Sequence, residues 1–151
     1  MSEMTSPTGK DLRAAQLASV LAAGVRSNDL HRVDALRVIR HEMRTRNTNK
    51  KLGIRPRSVA AQAVIDDYAA RSLSVPRNDS PDAMHADHVF ALRSEELDRL
   101  LTVDDWLEAL ARFRQVVCVT ADENYRLEQL EKAGTDGWRK YETAGITWAA
   151  D

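Results

Sequence analysis

Apolar residues recur at helical spacing through the first half of the chain, which predicts three amphipathic helices. The first covers residues 11–26, with an inward face expected to hold Leu12, Ala15, Leu17, Leu21 and Val25. The second covers residues 27–44, capped by Ser27 or Asn28, with an inward face expected to hold Leu30, Val33, Leu36, Ile39 and Met43. The third begins at a cap, Ser58, and is expected to turn Val64, Ile65 and Tyr68 inward.

The pattern changes after the third helix. The stretch "SVPRNDSPDA", residues 74–83, has two prolines among short polar residues and predicts a loop at a subdomain boundary. Two strands follow, "HVFAL" at residues 88–92 and the clearer "QVVCVT" at residues 115–120. Between them, "SEELDRLL" and "TVDDWLEALARFR" predict helices with Ser94 and Thr102 at their caps.

Two further helices complete the predicted order. The first runs through "ADENYRLEQLEKAG" and stops at Gly134, and the second, in "DGWRKYETAGITW", closes at Gly145. Four residues, Trp138, Tyr141, Ile146 and Trp148, are expected to seal a core and not to form a binding platform. The fold class is therefore mainly α with a small two-stranded β-hairpin, an α+β arrangement. The expected organisation is a disordered tail at residues 1–8, a basic helical region at residues 9–75 and a hairpin-containing region at residues 84–151.

Charge is distributed unevenly along the chain. Residues 1–57 carry 12 Lys and Arg against 5 Asp and Glu, whereas residues 58–151 carry 10 against 18. The segment "RTRNTNKKLGIRPR", residues 44–57, contains no acidic residue, so it is either a solvated loop or a segment that contacts phosphates. The candidate nucleic-acid contacts, from a basic ridge on the second helix and from this segment, are Arg37, Arg40, Arg44, Arg46, Lys50, Lys51, Arg55 and Arg57.

Composition excludes several classes of protein. The single cysteine, Cys118, rules out an internal disulfide and a cysteine-rich zinc site, and its place in "VVCV" indicates a buried, inert thiol. No apolar run approaches the roughly 18 residues that span a bilayer. The first ten residues lack the basic-then-apolar pattern of a signal peptide, so a cytoplasmic location is expected.

Residues capable of metal chemistry concentrate in "HADH" and "TADEN". The first holds His85, Asp87 and His88, and the second holds Glu123 and Asn124. A hairpin followed by a helix would bring these two places toward one cavity. Adjacent residues on a regular strand point to opposite faces, so Asp87 and His88 converge only where the strand begins or bends.

The segments "ADHVFAL", "VVCVTADENYRL" and "GWRKYETAGI" resemble the HNH endonucleases of the His-Me finger (ββα-metal) class over residues 84–148. The resemblance implies hydrolysis of DNA phosphodiester bonds with one divalent metal ion, Mg²⁺ or Mn²⁺. It also implies a ββα-metal-like motif, in which this chain departs from the family by a helical insertion in place of the loop between the strands. The middle Asn of the family, which orients the general base, and its frequent zinc-binding cysteine pairs have no match here.

The resemblance also assigns roles to particular residues. His88 matches the general base that activates water, Asp87 a metal ligand, and Asn124 the ligand carried by the helix. A hard cation prefers the oxygen ligands that these Asp and Asn side chains supply, and imidazole titrates near working pH. His85 is a reserve ligand because it shares a strand face with Asp87. Glu123 either joins the metal or complements the helix N-terminus, and the helix role is favoured.

Three functions follow from these observations. The first is a metal-dependent DNA endonuclease whose basic helices grip the phosphate backbone. The second is a non-catalytic helical DNA-binding or regulatory protein, and the third is a protein-interaction module that uses the acidic C-terminal half. Metal-dependent cleavage separates the first from the others, and the oligomeric state is left open.

Overall fold

The computed structural model of the chain describes residues 8–44, 48–77 and 80–150. Over these ranges the protein is mainly helical with one two-stranded antiparallel sheet, as the sequence predicted. The elements, in chain order, are α1 (Gly9–Arg26), α2 (Arg32–Met43), a 3-10 helix (Thr48–Gly53), α3 (Val59–Ala70), β1 (Met84–His88), α4 (Glu96–Arg99), α5 (Val103–Phe113), β2 (Val116–Thr120), α6 (Ala121–Lys132) and α7 (Arg139–Thr143). Of the predicted disordered tail, residues 1–7 lie outside the described ranges, and Thr8 caps α1.

Two compact units divide the chain, and each is built from two separate segments. Unit 1 comprises residues 1–46 and 92–114, and unit 2 comprises residues 47–91 and 115–151. The chain therefore passes from unit 1 to unit 2 and then through both again. The division into regions 9–75 and 84–151 stays a prediction, because a compact unit is not by itself a domain.

Unit 1 packs α1 against α2, α4 and α5 through small side chains. The buried stripe of α1 consists of alanines and one valine, namely Ala14, Ala15, Ala18, Ala22 and Val25. Small residues let neighbouring helices approach closely, so this stripe faces the unit's interior. The predicted inward positions Leu12 and Leu17 are wrong, since they are 40% and 39% exposed. Val33, predicted inward on α2, is 78% exposed, whereas Leu36, Ile39 and Met43 are buried as expected.

Two predicted helix caps are also wrong. Helix α2 begins after His31, because Asn28 takes a left-handed conformation (φ 61°) in the turn after α1. Ser94 does not cap α4; its hydroxyl accepts a hydrogen bond from Arg32 instead. The cap at Thr102 is confirmed, since its hydroxyl accepts from the N–H of Asp105 in a capping box.

Unit 2 is organised around the β1–β2 hairpin. The strands pair antiparallel, with Met84 opposite Thr120 at one end and His88 opposite Val116 at the other. One face of the sheet, with Met84 and Cys118, packs against Ala61 of α3. The other face packs against α6 and α7 in a core that contains Val117, Val119, Leu127, Tyr141 and Ile146. The sheet is therefore covered by helices on both sides.

The first strand lies four residues earlier than predicted. The sequence placed it at "HVFAL", but pairing with β2 ends at His88, and residues 89 and 90 form a bend. The N–H of Val89 still donates to the carbonyl of Gln115, and the N–H of Ala91 donates to the carboxylate of Asp136. Val89 and Leu92 are buried, but they lie in a loop and not in a strand. The prediction of the strand position from hydrophobicity alone was therefore wrong.

Helix α6 follows β2 without a break and packs against both strands. Thr120 caps it, since its hydroxyl accepts from the N–H of Glu123 and the Glu123 carboxylate accepts from the N–H of Thr120. Gly134 ends α6 in a left-handed conformation (φ 98°), and Gly145 does the same after α7 (φ 71°), as predicted. The order β1, β2, α6 is the predicted ββα arrangement with a helical insertion.

Two further expectations from sequence can be compared with the structure. Cys118 is fully buried, as predicted, and burial raises the pKa of its thiol. Among the described residues, none of the helices combines the length and apolar character needed to cross a bilayer.

Candidate functional site at the end of the first strand

Strand β1 holds Asp87 and His88 on opposite faces of the sheet. It pairs regularly with β2 through its last residue, so successive side chains alternate. Asp87 shares its face with Val117, and this face is covered by α7. His88 belongs to the face that carries Cys118, on the side of α3. The strand neither begins nor bends between the two residues, so the structure does not bring their side chains to one point.

The carboxylate of Asp87 is held by two donors from α7. The hydroxyl of Tyr141 donates to Oδ2 of Asp87, and the ammonium of Lys140 lies 3.0 Å from the same oxygen. Asp87 is only 7% exposed and Lys140 is fully buried. Burial and the neighbouring Asp87 carboxylate raise the pKa of the Tyr141 hydroxyl well above its ordinary value, so it remains a donor. Asp87 is thus half of a buried ion pair.

The ammonium of Lys140 contacts three oxygens. Besides Asp87, it donates to the backbone carbonyl of His88 at 2.6 Å and to Oε1 of Glu131. An ammonium has three protons, and these three acceptors match them. Lys140 therefore ties α7 to α6 and to the last residue of β1. Asp87, His88, Glu131, Lys140 and Tyr141 together form the Lys140 network, in which Asp87, Lys140 and Tyr141 are buried.

Asn124 lies at the other end of the hairpin from His88. It occupies the first turn of α6, just after Thr120, and Thr120 pairs with the first residue of β1. Four residues of strand separate the two ends, which is about 13 Å. The other end of α6 approaches His88, because Glu131 and the carbonyl of His88 share the ammonium of Lys140. Asn124 is half-buried and is not brought to Asp87 or His88.

The two additional candidates, Glu123 and His85, have different surroundings. Glu123 is 4% exposed, and its Oε1 accepts from the hydroxyl of Ser58 and from the N–H of Thr120, which is the favoured helix role. His85 shares its strand face with Asp87, as predicted, but sits nearer the Asn124 end. Burial and the positive charge of Lys51 lower the pKa of the His85 imidazole below 6.5.

The predicted metal ligands do not form a site that fits a divalent cation. Such a cation needs several oxygen or nitrogen ligands converging at 2.0–2.6 Å or so. Asp87 is already neutralised by an ammonium, His88 lies on the opposite face, and Asn124 is at the far end of the hairpin. Within residues 8–44, 48–77 and 80–150, no three His, Cys, Asp or Glu side chains are grouped so that they could hold a metal ion.

The basic ridge on α2 is partly used within unit 1. Arg37 is largely exposed and pairs with Asp34 at 3.4 Å. Nε of Arg40 donates to the carbonyl of Leu92 at 3.0 Å, although most of Arg40 faces solvent. Arg44 is half-buried at the end of the helix. Only Arg37 and Arg40 of the ridge therefore present a solvent-facing guanidinium.

The basic segment divides into buried and solvent-facing cations. Arg57 is 7% exposed, and its guanidinium donates to Gln62 and to the carbonyl of Leu52, so it is structural. Arg55 faces solvent, and its NH1 donates to the carbonyls of Leu52 and Ile54 at 3.0 and 3.1 Å. Lys51 is half-buried beside it in the chain. The predicted contact Arg46 and the side chain of Lys50 lie outside the described residues.

Comparison with protein-family models, with curated proteins and with solved structures found no match to this chain.

Proposed function

We propose that this chain binds nucleic acid, with DNA as the first candidate, through the solvent-facing cations of its basic segment. The β1–β2–α6 motif then serves as the scaffold that presents this segment. The observation that carries the proposal is the state of Arg55. It faces solvent from a segment without acidic residues, and among the described residues its guanidinium pairs with backbone carbonyls only.

The held position of Arg55 supports a role in contacting phosphate. Two carbonyls fix one end of its guanidinium, so less side-chain entropy is lost when the remaining N–H groups bind an anion. Lys51 lies on the 3-10 helix that ends two residues before Arg55, and it supplies a second, half-buried positive charge. Contacts of this kind fix a protein on the phosphate backbone without selecting a base sequence. We therefore expect affinity that depends on salt more than on sequence.

The Lys140 network supports the non-catalytic part of the proposal. A general base and a metal ligand must reach the same phosphate, but Asp87 is bound to a buried ammonium and His88 faces the other side of the sheet. Breaking a buried ion pair by removing one partner costs about 3–5 kcal/mol. The folded motif therefore needs both partners of this pair, at the place where the family resemblance expects chemistry. A cytoplasmic location, as expected from sequence, is part of this proposal.

Fluorescence anisotropy with labelled duplex and single-stranded DNA tests the binding. The logarithm of the association constant should fall linearly with the logarithm of salt concentration. Arg55→Ala should reduce the slope by about 1, because one phosphate contact is lost. Lys132→Ala is the matched control, since Lys132 is an exposed cation on α6, and it should leave the slope unchanged. Equal slopes for the wild type and Arg55→Ala, or no binding at low salt, would contradict the proposal.

Metal-dependent cleavage of DNA is the second candidate, and the ββα order of β1, β2 and α6 favours it. A supercoiled-plasmid nicking assay with Mg²⁺ or Mn²⁺ tests it directly. Nicking that is lost both with a chelator and in His88→Ala would replace the first proposal with the nuclease. A plasmid that stays intact but migrates more slowly at low salt would favour binding without cleavage.

A further inference from the structure

Unit 2 contains an open cavity of about 910 Å³ that the proposed nucleic-acid contacts do not explain. It lies among the 3-10 helix, α3, the chain that follows α3, and the start of β1. Ile65 and Ala69 of α3 form one wall, and Leu73 and Met84 contribute to the others. A cavity of this size matches those that hold small molecules in proteins.

The apolar walls of this cavity are aliphatic. No aromatic side chain lines it among the residues that the structure describes. Two of its leucines are largely open to solvent: Leu52 is 46% exposed and Leu73 is 54% exposed. A ligand with an apolar body would cover these leucines, and removing their apolar surface from water is favourable. Flexible aliphatic walls suit an alkyl chain better than a flat ring.

The charged residues that line the cavity have one sign. They are Lys51 and Arg77, and no described lining residue carries a carboxylate. Arg77 is exposed and makes no described ion pair. An apolar wall beside two cations is complementary to a molecule that has an alkyl chain and an anionic head.

We propose that this cavity binds a small anionic amphiphile. Its alkyl chain lies against Ile65, Ala69, Leu73 and Met84, and its carboxylate or phosphate head pairs with Lys51 and Arg77. This site does not include Arg55, and Lys51 is the one residue that it shares with the proposed nucleic-acid contacts. Its variants are therefore chosen at Arg77 and Ala69, so that either proposal can fail without the other.

Methionine methyl groups provide a direct probe in the full chain. Met84 lines the cavity, whereas Met43 is fully buried in unit 1, so one serves as reporter and the other as internal control. With ¹³C-methyl methionine, and the Met84 signal assigned by Met84→Leu, dodecanoate below its micellar concentration should shift Met84 and leave Met43 in place. Decanoate should bind more weakly, by about fourfold per methylene removed. No shift of Met84 would overturn the proposal.

Head-group comparisons and two variants complete the test. Dodecanoate and dodecyl phosphate should both bind more tightly than dodecanol, and Arg77→Ala should reduce this preference about threefold, because Arg77 is exposed to solvent. Ala69→Phe, at an exposed position of α3, should fill the cavity and abolish the shift, whereas Lys132→Ala should bind as the wild type does. Equal binding of dodecanol, or undiminished binding by Ala69→Phe, would overturn the proposal. A Met84 shift that depends on protein concentration alone would indicate a second copy of the chain in the cavity and would also overturn it.

Discussion

Lys140→Met tests whether the Lys140 network stabilises unit 2 as a buried ion network. Lys140 is fully buried and touches Asp87, Glu131 and the carbonyl of His88. Methionine has a similar length and no charge, so the substitution removes the ammonium while keeping most of the volume. Among the described residues, the 7% exposed Asp87 carboxylate then keeps the Tyr141 hydroxyl as its one side-chain donor.

The expected loss follows from the burial of the remaining charge. Removing one member of a buried ion pair costs about 3–5 kcal/mol of unfolding free energy. The Glu131 side chain is 26% exposed and can turn to solvent, so losing the ammonium costs less at Glu131 than at Asp87. We therefore expect a loss of unfolding free energy at the lower end of that range. With a urea dependence of about 2 kcal/mol per molar, the unfolding midpoint should fall by about 1.5 M.

Equilibrium unfolding in urea, followed by both tryptophan fluorescence and far-ultraviolet circular dichroism, provides the measurement. Coincident transitions for the two signals justify a single free energy of unfolding for this two-unit chain. Lys132→Met, at an exposed position on α6, is the control and should change stability by less than about 0.5 kcal/mol.

A double-mutant cycle separates the ion pair from simple loss of packing. Asp87→Asn keeps an acceptor for Tyr141 but removes the charge that Lys140 compensates. Combined with Lys140→Met, it should recover about 1–3 kcal/mol relative to Lys140→Met alone. A loss below about 1 kcal/mol for Lys140→Met, or no recovery in the double variant, would refute the idea that the ammonium and the carboxylate depend on each other.

Three other predictions concern backbone strain, proton binding and thiol reactivity. Gly137→Ala should lower the free energy of unfolding in urea more than Gly145→Ala does. Both glycines have φ of 71°, but at Gly137 the new Cβ would also lie 3.1 Å from a ring carbon of Phe90. Equal losses of unfolding free energy would contradict this. The pKa of His85 is lowered from 6.5 in the folded state, so the unfolded chain binds the proton more readily. The contribution of His85 to stability is therefore present above pH 6.5 and is lost as the pH falls below it. Lys51→Ala should raise the pKa of His85 measured by NMR. The single cysteine should react with a thiol reagent only after urea is added, and rapid modification of the native protein would show that its side chain is accessible.

The fold class was predictable because its signals are local. Capping residues, glycine stops and the β-branched run at residues 116–120 each act within one element, and the predictions are confirmed at Thr102, Gly134, Gly145 and strand β2. The face that a helix buries is different, because it depends on what packs against it. In α1, a stripe of alanines forms the buried face in place of the predicted Leu12 and Leu17, because small side chains permit a closer approach of α2 and α5.

The candidate site was less predictable because its chemistry depends on distant partners. The motif "HADH" contains an Asp next to a His. It does not indicate whether a lysine ammonium elsewhere in the chain forms an ion pair with the Asp carboxylate. Lys140 follows Arg139 in a short helix rich in charged residues, and nothing in that pattern distinguishes a buried lysine from a solvated one. Its burial becomes visible only once the placement of α7 over the sheet is known. The strand position was misjudged for a related reason, since pairing with β2 fixes which residues are extended.

The interleaving of the two units sets an order for their completion during synthesis. Unit 1 has all its residues once Arg114 has been made, whereas unit 2 waits for β2, α6 and α7. Until then β1 has no strand partner, and the aliphatic residues near it have no α6 to cover them. All residues of the helical unit are thus present before unit 2 is complete. The strand that carries Asp87 and His88 lacks its ion-pair partner until Lys140 has been made.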